Sequence, residues 1–547
     1  MAETNPSAQV ISVFPQKIRI EVEDIEAFRV DDELLTVGSY LRISDHNDCA
    51  IISIIENFSI ELLQAGLDGV RDRKYIIEAL PLGFIDSDGR FIRGGSNIAI
   101  PPEGVTPARK VDIQQIYDDI PNHERFCFSK LAQDKDINVP VNGNKLFNKH
   151  LAVVGSTGSG KSHTVAKIIQ EAIEQRESDF DGLNNSHIVI FDIHAEYKTA
   201  FPTASYLDVS SLVLPYWLLS SEELEDLLIE SNEEQSHNQI ATLKKAVTDE
   251  KRSNFRGTDI ERDKIHYDSA TFFDINEIVA VVKAKNEEMV PGSGSAGVKQ
   301  GPLYGKLSNF VTRLENKVGD PRLEFLLGTK VKSVTLEGVL RQFLSYTEGE
   351  RANVTIIDLS GVPFEVLSIT VSLISRILFD YGYAYKKHHI KSACETPLVI
   401  VYEEAHKYVP RSDLSKFSAS RRAIERIAKE GRKYGVTAII VSQRPSEVSE
   451  TIFSQCSNFI SMRLTNPDDQ AYTKRLLPDS LGPLTDSLPI LRAGEALLIG
   501  DSIVMPSVVL IDRCGPEPSS NDIQYLDKWK KPWLEVDFES LINQWQR

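Results

Sequence analysis

An eight-residue turn, Gly155, Ser156, Thr157, Gly158, Ser159, Gly160, Lys161 and Ser162, follows the apolar run 151–154 and precedes helical sequence that begins near His163. Glycines at its first, fourth and sixth positions let the backbone curl until its N–H groups converge on one point. The start of the helix adds partial positive charge there, so the turn is built to hold a chain of phosphates. The complete GxxxxGK[ST] spacing supplies Lys161 to reach the β- and γ-phosphates and the Ser162 hydroxyl to ligate Mg²⁺. These eight residues and His163 are the expected nucleotide-binding set.

The turn also dictates its surroundings, because it works only at the end of a buried strand. Apolar runs at 151–154, 188–191, 354–357, 398–401 and 436–441 end in polar clusters, with helical patterns between several of them. Runs that are apolar at every position are what a parallel sheet covered on both faces requires. Such sheets carry their chemistry at the strand ends. The expected fold class is therefore α/β, with a mainly parallel sheet at its centre.

The run 398–401 leads through Tyr402 to Glu403 and Glu404. A hydrolytic nucleotide site needs an acid for the metal shell and another to orient and deprotonate the attacking water. Glu404 is assigned as the base and Glu403, with Ser162, to the metal. The run 436–441 ends at Ser442 and Gln443, and an amide there can touch the γ-phosphate and report its loss. Asp192, His194 and Glu196 lie together at a third strand end. Three ligands so close in sequence do not readily face one metal, so they are read as structural groups near the nucleotide. His406 is read as a satisfied helix-start histidine.

Lys and Arg number 61 and Asp and Glu 79 among the 547 residues, a formal net charge of −18. That excludes a basic protein coating nucleic acid, and any DNA contact has to come from a local basic surface. Five scattered cysteines without a CxxC pair suggest neither a disulfide framework nor a zinc site. No apolar run approaches the roughly 18 residues that span a bilayer, so no membrane association is expected and the cytoplasm is the expected location.

Residues 1–119 read as short alternating strands, a small N-terminal β-barrel followed by a linker-like stretch 101–119. The α/β pattern occupies 120–219 and 351–515. Between them, 220–350 is helical and charged, an insertion that opens with seven acids and no base at 221–234, read as a helix with a solvated acidic face. Residues 290–302, rich in Gly, Ser and Pro, are read as a mobile loop, and 516–547 as a C-terminal tail.

The segments HLAVVGSTGSGKSHTV, IVIFDIHAEY, LPYWLLSSEEL, VTIIDLSGVP, LVIVYEEAHKYVP, AKEGRKYGVTAIIVSQRPSEV, FISMRLTNPDDQ and GEALLIGDSIVMPS, in this order, resemble the HerA/FtsK superfamily of P-loop motor ATPases, most closely the bacterial HerA-like helicases. GSYLRI at 38–43 is similar to the family's N-terminal barrel. The resemblance implies a RecA-like core, a hexameric ring, ATP and Mg²⁺ as cofactors, and double-stranded DNA moved through the central channel. It implies work with a nuclease or other effector enzyme, in DNA-end processing or antiphage defence. Glu403 stands where the family more often has Asp, so its reach to magnesium is expected through water.

In such a ring the polar stretch 410–418 would face the channel, offering Arg411 and Lys416 to DNA phosphates. Arg432, at a turn flanked by Gly431 and Gly435, is assigned as an arginine finger for the neighbouring subunit's γ-phosphate, with Lys429, Arg426 and Arg444 as rivals. On the helix around 419–433, Arg422, Arg426 and Lys429 share a face, either a DNA contact or a solvated surface. Two other functions are compatible with the same residues: an ATP-binding ring that organises a partner effector without translocation, and a secretion- or conjugation-type motor.

Overall fold

The computed structural model describes residues 8–14, 17–29, 35–44, 49–62, 73–94, 104–176, 182–230, 236–292, 297–347, 350–388, 396–411, 418–477, 482–520 and 523–545. At its centre is an 11-stranded sheet in the order Ser205–Leu207, Val354–Asp358, His187–Asp192, Leu398–Tyr402, Val436–Ser442, His150–Val154, Cys456–Met462, Glu495–Gly500, Ser507–Ile511, Arg125–Leu131 and Asn138–Asn142. The first seven run parallel. From Cys456–Met462 onward every pairing is antiparallel. The sheet is thus mixed. All five apolar runs expected as strands lie side by side in its parallel part, where their residues are buried throughout. The antiparallel extension was not anticipated, because Asn138–Asn142 carries no long apolar run and the run 496–499 does not by itself tell whether its strand pairs parallel or antiparallel.

The parallel strands all deliver their C-terminal ends to one edge. Asp192, Glu403, Gln443 and Gly155 consequently sit along that edge, although up to 288 positions separate them in sequence (443 minus 155). Helix Lys161–Glu174 leaves the phosphate turn and buries Val165, Ala166, Ile168 and Ile169 in the same core.

The N-terminal strands form a separate antiparallel sheet of seven, with path Ala8–Phe14, Lys17–Val22, Arg73–Ile85, Ala50–Leu62, Tyr40–Ser44, Gly104–Pro107, and Phe91–Arg93 beside Arg73–Ile85. Register shifts in the long Ala50–Leu62 ladder bend it. Its first and last strands approach each other, so the sheet curls like a barrel, but no ladder joins them among the described residues. The stretch read as a linker instead carries strand Gly104–Pro107 and helix Lys110–Asp118, because Val105, Ile113, Ile116 and Tyr117 all find apolar cover.

The intervening block is helical, with Ser221–Leu228, Ser236–Asn254, Ile275–Asn286, Ser308–Val318 and Leu336–Phe343 as its main elements. One acid of its first helix is not solvated. Glu223 closes a capping box with Ser220 and is buried against Arg376 at 2.8 Å, its charge satisfied within the fold. Residues 290–302 contain part of a short hairpin, Met289–Pro291 against Val298–Gln300. In the tail, helices Tyr525–Trp529 and Phe538–Trp545 leave Trp529, Trp533 and Trp545 exposed. Among the described residues no helix is long and apolar enough to cross a membrane.

Candidate functional site

The phosphate turn is held from beneath by the strand next to it. Ser156 N–H donates to the Arg463 carbonyl at 2.7 Å, Thr465 N–H donates to Ser156 Oγ at 3.0 Å, and Gly494 N–H donates to the Ser159 carbonyl at 2.9 Å. A Cβ at position 155 would stand 2.8 Å from Met462 Cβ, so only glycine lets the turn pass that strand. Gly160, the residue before the helix, has φ 106°, a left-handed conformation that a side chain would strain. The buried Lys161 ammonium is 3.4 Å from the Ser156 carbonyl. Burial pulls its pKa down, while the charges of Glu403, Glu404 and Glu196 pull it back up.

Across the sheet edge, Glu403 and Glu404 are each only 2% exposed. Tyr197 OH donates to Glu403 Oε2 at 2.9 Å, and Tyr408 OH donates to the Glu403 carbonyl at 2.5 Å. Burial, reinforced by the neighbouring Glu404, pushes the Glu403 carboxyl up to about 8 against the pull of Lys161. Glu404 adopts φ 50°, a left-handed backbone that costs a non-glycine residue about 1 kcal/mol or more and turns it off the strand line. Gln443 Nε2–H donates to Glu404 Oε1, and Thr157 OH donates to Gln443 Oε1 at 2.5 Å. Gln443 therefore spans from the phosphate turn to Glu404. The other Glu404 oxygen is buried without a hydrogen-bond partner, although His406 Nδ1 lies 3.2 Å away. His406, in the short helix Ala405–Lys407, is partnered within the fold, as read from the sequence: its Nδ1 is 3.3 Å from Ser442 Oγ, and burial depresses its pKa.

The third strand end separates its three polar residues. Asp192 folds back on the chain, accepting from His194 N–H at 3.2 Å and Tyr197 N–H at 2.9 Å, and burial raises its pKa. His194 Nε2 meets Lys407 Nζ at 3.0 Å. Glu196 turns the other way and accepts the Ser162 hydroxyl at 2.8 Å. Tyr197, Tyr408 and Thr465 were missed as functional positions. Tyr197 and Tyr408 stand inside the quoted segments DIHAEY and EEAHKYVP, but nothing in a tyrosine's spacing tells that its hydroxyl will reach a carboxylate across a strand.

His163 borders the turn next to the C-terminal segment, 3.4 Å from Ser520 Oγ and 3.8 Å from a Glu517 oxygen. Arg432 is exposed on the turn Gly431–Tyr434, where its charge faces His150 at the start of the phosphate-turn strand. That is the opposite edge of the sheet from Gly155, so the fold does not bring Arg432 into its own chain's pocket. Arg444 stays at the pocket edge, its Nη1 3.9 Å from Glu447. Arg411 is tied to Glu450 at 3.6 Å and lies over the Tyr472 ring, and Lys416 falls outside the described residues.

Residues 126–378 match a family model described as the central domain of helicase HerA. The chain is 26% identical to a DNA double-strand break repair helicase HerA of Saccharolobus solfataricus over 434 residues, 79% of this chain and 77% of that one. It is 24% identical to the HerA of Sulfolobus acidocaldarius over 536 residues, 95% of this chain and 97% of that one. A probable helicase of Methanocaldococcus jannaschii is 24% identical over 448 residues, 80% and 76% of the two chains. Among solved structures, VirB4 of Thermoanaerobacter pseudethanolicus matches with a TM-score of 0.48 at 14% identity, over 72% of this chain and 98% of that one.

Proposed function

We propose that the chain, whose residues 126–378 match the central domain of helicase HerA, is an ATP-driven motor of the HerA/FtsK superfamily that moves double-stranded DNA through a hexameric ring and works with a nuclease or other effector in DNA-end processing. The observation that carries the hydrolytic part is the bridge Thr157–Gln443–Glu404, which ties the phosphate turn to a buried acid with one unpartnered oxygen. Relatives named for double-strand break repair support the DNA part.

The residues fit ATP with Mg²⁺. The turn presents a backbone cradle, Lys161 is a buried cation at its floor, and the Ser162 hydroxyl faces a carboxylate. A bound magnesium ion would neutralise charge developing on the β- and γ-phosphates. Residues 155–163 bind and orient the triphosphate, with Lys161 countering its negative charge. Glu404 takes a proton from the attacking water, and its strained backbone and Gln443 hold the carboxylate in line. Gln443 loses its γ-phosphate contact after hydrolysis and passes that loss to Glu404 through their shared hydrogen bond. Arg432, remote from its own pocket, serves the neighbouring subunit's, and Arg411 with Lys416 contacts DNA phosphates.

Native mass measurement combined with an ATPase assay, with and without duplex DNA, tests the reading. A hexamer whose hydrolysis rises with duplex supports it. Hydrolysis indifferent to DNA favours a ring that regulates its effector without translocation.

A further inference from the structure

We infer that Glu196, rather than Glu403, is the carboxylate that completes the magnesium shell beside Ser162; the inference rests on the nucleotide site proposed above. Ser162 carries the one side-chain oxygen whose position near a phosphate-bound metal is dictated by the turn itself, so the acid that shares the shell has to lie against it. Ser162 OH donates to Glu196 Oε2 at 2.8 Å. Neighbouring oxygens of an octahedral shell with metal–oxygen bonds of about 2.1 Å stand about 3.0 Å apart, so this pair is already at shell spacing.

Glu403 is placed for different work. Its Oε2 takes the Tyr197 hydroxyl, its carbonyl takes the Tyr408 hydroxyl, and its charge faces Lys161. Among the described residues no hydrogen bond joins it to Ser162. It is a buried acid tied to two tyrosine hydroxyls, one at its carboxyl and one at its carbonyl.

The chain spends structure on aiming Glu196. Asp192 accepts two backbone N–H groups to close the turn, and Ala195 sits at φ 55°, a left-handed conformation that an L-residue holds only when its surroundings require it. The Glu196 carbonyl is fixed by Ser519 N–H at 2.9 Å from the C-terminal segment. One turn thus points consecutive residues at two partners, Glu196 at Ser162 and Tyr197 at Glu403. A strand-end acid pair alone does not reveal this division, because Glu196 reaches the phosphate turn only by way of that turn.

The test measures metal binding apart from hydrolysis. Mn²⁺ stands in for Mg²⁺, its affinity for the ADP complex of the full chain is read by electron paramagnetic resonance, and fluorescent ADP is titrated in EDTA. Glu196→Gln is expected to weaken Mn²⁺ binding by about 10- to 100-fold while leaving metal-free ADP binding within about twofold. Glu403→Gln is expected to leave Mn²⁺ affinity within about threefold. Ser162→Ala combined with Glu196→Gln should cost no more than the larger single change, because the two act on one shell. An equal or greater loss in Glu403→Gln, no loss in Glu196→Gln, or additive losses in the double variant each overturn the assignment. Failure of the wild-type chain to bind ADP in EDTA or with metal would instead overturn the nucleotide site itself. Circular dichroism and a thermal melt of Glu196→Gln accompany the titration, and Glu196→Asp, which keeps the charge but shortens the reach, should recover part of the Mn²⁺ affinity; if it recovers none while both variants melt as wild type, the role is overturned.

Discussion

Glu403 and Glu404 at the phosphate-turn edge are buried to 2% exposure, pressed against each other, and one Glu404 oxygen has no hydrogen-bond partner. On helix Ser418–Glu430 the charges are just as dense, but they lie outside and each has an acid beside it. Arg421 meets Glu425 at 2.9 Å, Arg422 meets Glu222 at 2.6 Å, Arg426 meets Asp380 at 3.6 Å and Lys429 meets Glu425 at 3.4 Å. Sequence presents both as clusters of charge. The fold buries one cluster with a single lysine against its acids, at a cost in desolvation, and lets water and counter-charges quiet the other. Buried, incompletely satisfied charge is retained where chemistry uses it, whereas exposed pairs contribute about 0–1 kcal/mol and dictate little.

If that contrast holds, the largest effects belong to the buried edge. Lys161→Ala removes the turn's only side-chain cation and is expected to abolish ATP hydrolysis while circular dichroism stays unchanged. Glu404→Gln keeps the shape and loses the base, so hydrolysis should fall by about 10²–10⁴-fold with nucleotide binding retained. Steady-state rates and filter binding separate the two variants. Tight binding with lost hydrolysis in Glu403→Gln, and not in Glu404→Gln, would exchange the roles of the pair.

Arg432 extends the comparison to a charge at the opposite edge of the sheet. Mixing Arg432→Ala subunits with Glu404→Gln subunits, each inactive as a pure ring, should restore part of the hydrolysis where an intact pocket receives an intact arginine, provided the ring does not need every site to fire. A guanidinium acting in trans contributes about 10³–10⁵ in rate, so even partial restoration stands clear of background. An Arg432→Ala ring that hydrolyses normally removes the residue from the mechanism and returns Arg444, already at the pocket edge, to consideration.

The parallel half of the sheet was legible because burial on both faces writes an apolar residue at every position, as in 188–191 and 398–401. The turn 155–162 was legible because its spacing serves a ligand, whatever the rest of the chain does. The antiparallel strand Asn138–Asn142 was not, since a short strand of mixed character looks like a connection until the ladder is formed, and the apolar run 508–511 in Ser507–Ile511 does not by itself tell its direction. Contacts made across strands were invisible for the same reason. Neither Tyr197 under Glu403 nor Glu196 against Ser162 can be read from neighbours in sequence, because the turn at Ala195 decides both.

A titration examines burial at the other end of the phosphate-turn strand. His150 accepts the Ala438 N–H through Nδ1 at 3.0 Å, its Nε2 is buried without a partner, and burial holds its pKa down to about 4. The folded chain therefore binds the proton less readily than the unfolded one. The stability that His150 carries in its neutral form is complete above the unfolded imidazole value and is lost as pH falls through about 6.5 toward about 4. The unfolding free energy from urea titration should drop over that window by up to about 3 kcal/mol more in the wild type than in His150→Gln, which cannot take up the proton. An equally steep loss in both would mean that the buried imidazole is not what acid attacks.

The smallest effects are expected on the outer face. Arg422→Gln breaks a short ion pair with Glu222, but both side chains are more than half exposed, so the unfolding free energy from urea titration should change by less than about 0.5 kcal/mol. Arg426→Gln should cost somewhat more, about 1 kcal/mol, because its guanidinium also lies 4.4 Å from the centre of the Phe379 ring and helps keep the partly buried Asp380 ionised. Each cation is already neutralised within the chain, so neither has free charge to release counterions from DNA. The slope of log affinity against log salt should then be unchanged in the double variant. A slope that instead falls by about two in Arg422→Gln with Arg426→Gln would mean that DNA phosphates displace Glu222 and Asp380, and that this face, quiet in the isolated chain, becomes the working surface once duplex is present.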